Sequence, residues 1–178
     1  MSDYRIIDPI AGYPAITAVD TSPQLPIGYE VEARDVAAST SGGGAYGRFK
    51  YCRGSDVASS GAFVHIWNGS AVMLAAGNSA SAFEIGVACG VLNATSKYGF
   101  VQVAGHVDYA RGTNTSNAAG VPRYICAGTP GIIVSNVVAG NRIQGIFVPA
   151  DQSGTAAVSA SGVYDLQRPF VAGLTAAL

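Results

Sequence analysis

The sequence predicts an all-β fold, a compact antiparallel β-barrel or β-sandwich body preceded by an extended N-terminal arm. Three observations predict it. Short apolar runs recur along the chain, each bounded by Gly, Pro, Asn or Ser. No segment sustains an i, i+3, i+4, i+7 apolar pattern beyond one turn, and only residues 79–88 (SASAFEIGVA) could hold a short helix. An Asn-Gly pair at 68–69 joins two such runs, the strongest two-residue hairpin signal.

The arm spans 1–27 and the body 28–178. The arm holds Pro9, Pro14, Pro23 and Pro26, with Ile6, Ile7, Ile10, Tyr13, Ile16 and Val19 between them. Proline at this density blocks helix and central strand alike, yet the stretch is too apolar for a solvated linker. An arm lying on a partner's surface satisfies both facts, and so does an arm folded back on its own body.

In the body, Glu30, Glu32 and Arg34 alternate with Val31 and Ala33. After a Gly/Ser loop, Arg48, Lys50 and Cys52 alternate with Phe49, Tyr51 and Arg53. Antiparallel pairing would set opposite charges across the strands, at about 0.2–1 kcal/mol per pair. The hairpin at 62–76 would place Trp67 opposite Ser70, His65 opposite Val72 and Phe63 opposite Leu74, with both faces largely apolar. Residues 85–92 suit a buried strand. Val101, Val103 and Val107 alternate with Gln102, Ala104, His106 and Asp108, and Gly105 marks a bulge or bend. Residues 111–122 read as a polar loop. Further strands are expected at 123–127, 131–135, 141–148, 155–160 and 162–171.

Composition narrows the function. Of 178 residues, 12% are charged and 49% hydrophobic, with a formal net charge of −1; an average soluble domain carries about 25% charged residues. The chain is too apolar for intrinsic disorder, not basic enough to bind nucleic acid through phosphates, and has no membrane-length apolar run. Its first residues lack the basic and apolar regions of a secretory signal. So little charge favours association over life as a free monomer. Cys52, Cys89 and Cys126 are odd in number and sit in strand-like runs, which predicts buried free thiols in a reducing compartment. The sequons at Asn68, Asn93 and Asn114 read as turn chemistry rather than glycan sites.

Chemistry-bearing patterns are thin. Gly42, Gly44 and Gly47 match G-x-G-x-x-G without the strand-to-helix context that a dinucleotide needs. No C-x-x-C or H-E-x-x-H spacing occurs, so neither metal nor cofactor is expected. His65 and His106 lie mid-strand and read as structural, with a spatially assembled hydrolase triad as the rival. No G-x-S-x-G elbow presents a serine. Glu30 and Glu32 read as cross-strand partners. The expectation is a protein without enzymatic activity.

Four segments occur in order: GRFKYCRG (47–54), IGVACGVLNATSKYGFVQVAGHV (85–107), VVAGNRIQGIFV (137–148) and LQRPFVAG (166–173). Together they resemble the small virion proteins of tailed bacteriophages that decorate or cement the head. The resemblance covers roughly residues 25–173. It implies a β-tulip-like body without catalytic residues, made in the host bacterial cytoplasm and bound to the outer capsid surface. It further implies contact with the major capsid protein and with itself as a homotrimer, and no nucleic acid or membrane partner. In that setting Ile6, Ile7, Ile10, Tyr13, Ile16 and Val19 would dock the arm on capsid subunits, and removing residues 2–24 would leave a folded body. A receptor- or glycan-binding tail or fibre module is the alternative, with Trp67 and the 109–117 loop as its candidate contacts.

Overall fold

The computed structural model describes residues 3–7, 12–36, 45–55, 58–75, 83–113, 123–125, 129–134, 142–148 and 161–171. Among these there is no helix, and twelve strands form one mixed sheet. They are β1 (Tyr4–Ile6), β2 (Val19–Asp20), β3 (Glu30–Asp35), β4 (Tyr46–Gly54), β5 (Phe63–Trp67) and β6 (Ser70–Met73), followed by β7 (Glu84–Ala88), β8 (Tyr98–Thr113), β9 (Arg123–Ile125), β10 (Ile133–Val134), β11 (Arg142–Phe147) and β12 (Ser161–Val171). The order is β1-β3-β4-β6-β5-β7-β12-β11-β9-β10-β8-β2, and β8 also pairs with β4, β7 and β12. These extra pairings close the sheet on itself around β8. The all-β compact body is therefore as the sequence predicts.

Local chemistry explains the register. Asn68 (φ 46°) and Gly69 (φ 72°) both take positive φ, the type I′ geometry that matches strand twist. Trp67 then faces Ser70 and His65 faces Val72, as expected, and Leu74 N donates to Phe63 O (3.0 Å). The alternating charges of β3 and β4 meet as Glu30↔Lys50 and Glu32↔Arg48. Gly105 takes φ +95° but stays in register with Gly47 on β4; the β4–β8 bulge falls two residues earlier, where Arg48 pairs with Ala104, Phe49 pairs with Gln102, and Val103 is the extra residue.

Several boundaries differ from expectation. The predicted strand at 101–108 is part of a 16-residue strand that continues into the expected 111–122 loop. It extends because neighbours hydrogen-bond along both of its edges. The expected strand at 85–92 stops at Ala88, and the chain bends at Cys89–Gly90, where Val19 packs so closely that a Cβ on Gly90 would lie 2.4 Å from it. The possible helix at 79–88 is strand over Glu84–Ala88. Cys126 and residues 155–160 lie outside the described residues.

Three apolar clusters fill the body. Phe63, Leu74, Ile85, Val87, Val107, Tyr164 and Leu166 belong to the largest. Cys52, Val64, Ala71, Ala88, Val101 and Val103 form a second beneath Ala58 and Leu92. The third joins Phe49, Tyr51 and Phe100 to Tyr4 and Ile16, with Tyr13, Leu25 and Tyr29 packed around it. Residues 12–29 thus cover an aromatic face of β4 and β8 that would otherwise meet water. Of the two placements open to the arm, the chain folds it back on itself. β1 pairs with β3, β2 pairs with β8, and Tyr13 and Tyr29 join their hydroxyls at 2.8 Å.

Candidate interaction surface

The residues expected to dock on a partner divide by burial. Ile16 is enclosed by its own chain, at 5% exposure. Ile6, Tyr13 and Val19 are half-buried, and Ile7 is exposed. Ile10 lies outside the described residues. Burying Ile16 and pairing Val19 with Gly99 makes part of the arm integral to the body. Removing residues 2–24 would take away packing and hydrogen bonds from Tyr51, and the melting temperature of the truncated chain measures whether the remainder stays folded as expected.

Apolar side chains are exposed over several parts of the body. Tyr46 (60%), Val36 and Ile7 sit on the β1–β3–β4 sheet, Trp67 (52%) at the hairpin tip, and Phe147 and Phe170 on β11 and β12. Trp67 meets the edge of Phe83 at 4.6 Å between ring centres, and Phe83 stacks on His65 at 5.4 Å. Exposed aromatics of this kind have a large apolar area to bury against a partner.

The charged groups on the sheet mostly neutralise one another. Lys50 pairs with Glu84 and with Glu30 (3.1 Å), while Arg168 pairs with Glu30 (2.6 Å) and Glu84 (3.2 Å). This four-membered loop ties β3 and β4 to β7 and β12. Arg168 reaches it from a positive φ of 44°, opposite the bulge at Gly145. Burial alone would raise the Glu30 carboxyl, but hydrogen bonds from Arg168 and Lys50 hold it below its ordinary value. Burial alone would lower the Lys50 ammonium, and its two carboxylates hold it higher.

A depressed carboxylate stabilises the fold above its ordinary value, about pH 4.5, and that stabilisation is lost as pH falls through the folded value. A raised ammonium stabilises below about pH 10.5, and that stabilisation is lost as pH rises through its folded value. The loop's contribution is therefore constant between these limits. Arg168→Ala should lower stability by about 0.5–1 kcal/mol on that plateau, the guanidinium being half exposed. Its acid limb below pH 4.5 should also be shallower than in the parent. Melting temperature measured against pH in both proteins checks this.

A buried polar chain crosses the interior. Gln102, fully buried, donates through Nε2 to Ala104 O (3.3 Å) and His106 O (2.8 Å). Tyr4 also donates to His106 O (2.6 Å), and Tyr109 donates to Gln102 Oε1 (3.1 Å). Cys89 Sγ lies 3.2 Å from the Tyr109 hydroxyl. Burial pushes the Cys89 and Cys52 thiols up to about 12, so both stay protonated. Sequence reading missed this chain; its signal was one uncharged amide between Val101 and Val103.

The histidines do not converge. His65 is buried and kept below its ordinary value by desolvation. His106 Nδ1 meets Asp165 Oδ1 at 3.0 Å across the β8–β12 pair, which resembles a base with its orienting carboxylate. Its Nε2 is buried and has no hydrogen-bond partner among the described residues. Also among the described residues, no group of three His, Cys, Asp or Glu side chains is placed to hold a metal ion.

Compared with known proteins, the chain matches no family model, no curated protein and no solved structure.

Proposed function

We propose that this chain is a decoration protein that cements the assembled head of a tailed bacteriophage. It binds the outer face of the capsid lattice as a trimer and bridges neighbouring capsid subunits without catalysing a reaction. The ordered run of motifs from GRFKYCRG to LQRPFVAG supports the reading. The observation that carries it is the exterior: Tyr46, Val36 and Ile7 stand exposed on one face of a body with few charges. Three copies presenting such a face to a lattice would gain avidity from effective concentration even where each contact is weak. Ile7 serves the partner contact in this reading, while Ile16 serves the chain's own core.

Co-sedimentation with expanded heads tests it. The parent protein should pellet with heads, and Ile7→Asp combined with Tyr46→Asp should weaken retention at least tenfold with an unchanged melting temperature. Equal retention of the doubly charged variant would remove this surface from the account.

One observation favours a second reading, a glycan-binding virion module. Trp67 offers an exposed indole braced by Phe83, and such a platform suits the apolar face of a sugar ring. Binding on a glycan array that is lost in Trp67→Ala, from a protein that ignores heads, would put this reading first.

A further inference from the structure

The outer edge of β1 has the features of a strand acceptor. Val36 N donates to Asp3 O (2.9 Å) and Ile7 N donates to Glu32 O (3.1 Å). Antiparallel pairing alternates, so Asp3, Arg5 and Ile7 turn their main-chain groups toward β3. Those of Tyr4 and Ile6 turn the other way, to the outer edge. Among the described residues no strand covers that edge. β1 and Gly12–Ile16 together line a groove of about 390 Å³.

The charge beside this edge is unusual. Arg5 stands directly across from Arg34, on the same face. Like charges in that position repel and weaken the pair. Arg5 is met by Asp3 at 3.5 Å, with both side chains well exposed. Arg34 has no carboxylate partner among the described residues and lies over the exposed Tyr46 ring at 5.9 Å. Arg5 therefore stands beside an edge with main-chain donors and acceptors to offer, and Arg34 adds a second exposed guanidinium one strand further in. The chain's own fold leaves this arrangement at a cost, and an acidic neighbour would relieve it.

We propose that this edge binds an extended acidic segment of a partner protein. The segment adds as a strand to Tyr4 and Ile6, fills the groove against Gly12–Ile16, and sets its carboxylates over Arg5 and Arg34. Main-chain bonding supplies the register, and the two arginines select acidic over basic sequences. The inference concerns the class of partner and does not depend on the decoration reading; either can fail without the other.

Fluorescence polarisation of the full chain with labelled synthetic peptides tests it. A peptide alternating glutamate and valine should bind, and its lysine–valine counterpart should bind at least tenfold more weakly. N-methylation of the glutamate–valine peptide along one edge should abolish binding, and N-methylation along the opposite edge should leave it. Arg5→Glu with Arg34→Glu, both exposed and so compatible with folding, should reverse the preference toward the lysine–valine peptide. Absence of binding by the glutamate–valine peptide overturns the proposal. So does equal binding of all N-methylated forms, which would signify general anion attraction, or an unchanged preference in the charge-reversed variant.

Discussion

Gly105→Ala is expected to be the most damaging single substitution on the β4–β8 seam. Gly105 holds φ +95°, a conformation that L side chains rarely adopt. A Cβ there would lie 2.2 Å from Tyr46 O and 2.7 Å from Gly47 Cα, both main-chain atoms that no rotamer change can move. The obstruction falls where β4 joins β8, the pairing that closes the sheet. A methyl group would therefore have to separate the two strands or shift the backbone at Gly105. Such a shift would misplace the flanking Ala104 and His106 carbonyls that Gln102 holds. The expected loss is about 3–4 kcal/mol, a large share of the 5–15 kcal/mol that a domain typically has. Thermal unfolding should show a melting temperature lower by roughly 10 °C. Gly12→Ala supplies the comparison, since its φ is also positive but nothing lies within 4 Å of a Cβ there. It should cost only the conformational part, about 1 kcal/mol.

Gln102→Leu should come next. Leucine nearly matches the volume of glutamine, so little cavity forms. The loss is polar: Ala104 O forfeits a donor, His106 O keeps only Tyr4, and the Tyr109 hydroxyl loses Gln102 Oε1 and keeps only Cys89 Sγ. Stranding such groups costs about 1–3 kcal/mol each where no relaxation occurs. Partial compensation brings the expected total to about 2–4 kcal/mol. Denaturant titration should report it as a lower midpoint with an unchanged slope. Tyr109→Phe in the same background should add less than it does alone, because both changes break one network. Gln167→Leu, at an exposed position of β12, should alter stability by less than about 0.5 kcal/mol.

Much of the fold could be read from the chain because its strongest signals are local. Asn68-Gly69 dictates a turn whose geometry fixes every pair in the β5–β6 ladder. Glu30, Glu32, Arg48 and Lys50 specify their own register through charge, and Gly105 marks its positive-φ position by being a glycine, although the nearby bulge falls at Val103. What could not be read depends on distant partners. The length of β8 is set by the strands on both of its edges, and those lie far away in sequence. The bend at Cys89–Gly90 exists because Val19 packs against it, a contact between residues some seventy positions apart. The loop through Arg168 and Glu84 likewise requires a closed sheet before its members can meet.

The candidate surface divides in the same way. Proline and isoleucine content marked residues 1–27 as a segment that must lie on something. Only the packed structure shows that Phe49, Tyr51 and Phe100 leave a face that the segment itself covers. Ile16 and Ile7 are alike in a sequence, and their opposite burial appears only in the fold, where Ile16 joins the aromatic cluster and Ile7 stays exposed. The Arg5–Arg34 pair was equally hidden, because the two residues become neighbours only when β1 pairs with β3.

The proposed role, contact surface on an assembled particle, requires the polypeptide to be a component of virions. Quantitative mass spectrometry of purified virions measures that directly. Intact particles should contain the chain in a copy number comparable with that of the shell protein and release it when heads are disassembled. Its absence from particles that carry a full complement of shell protein would overturn the proposed role.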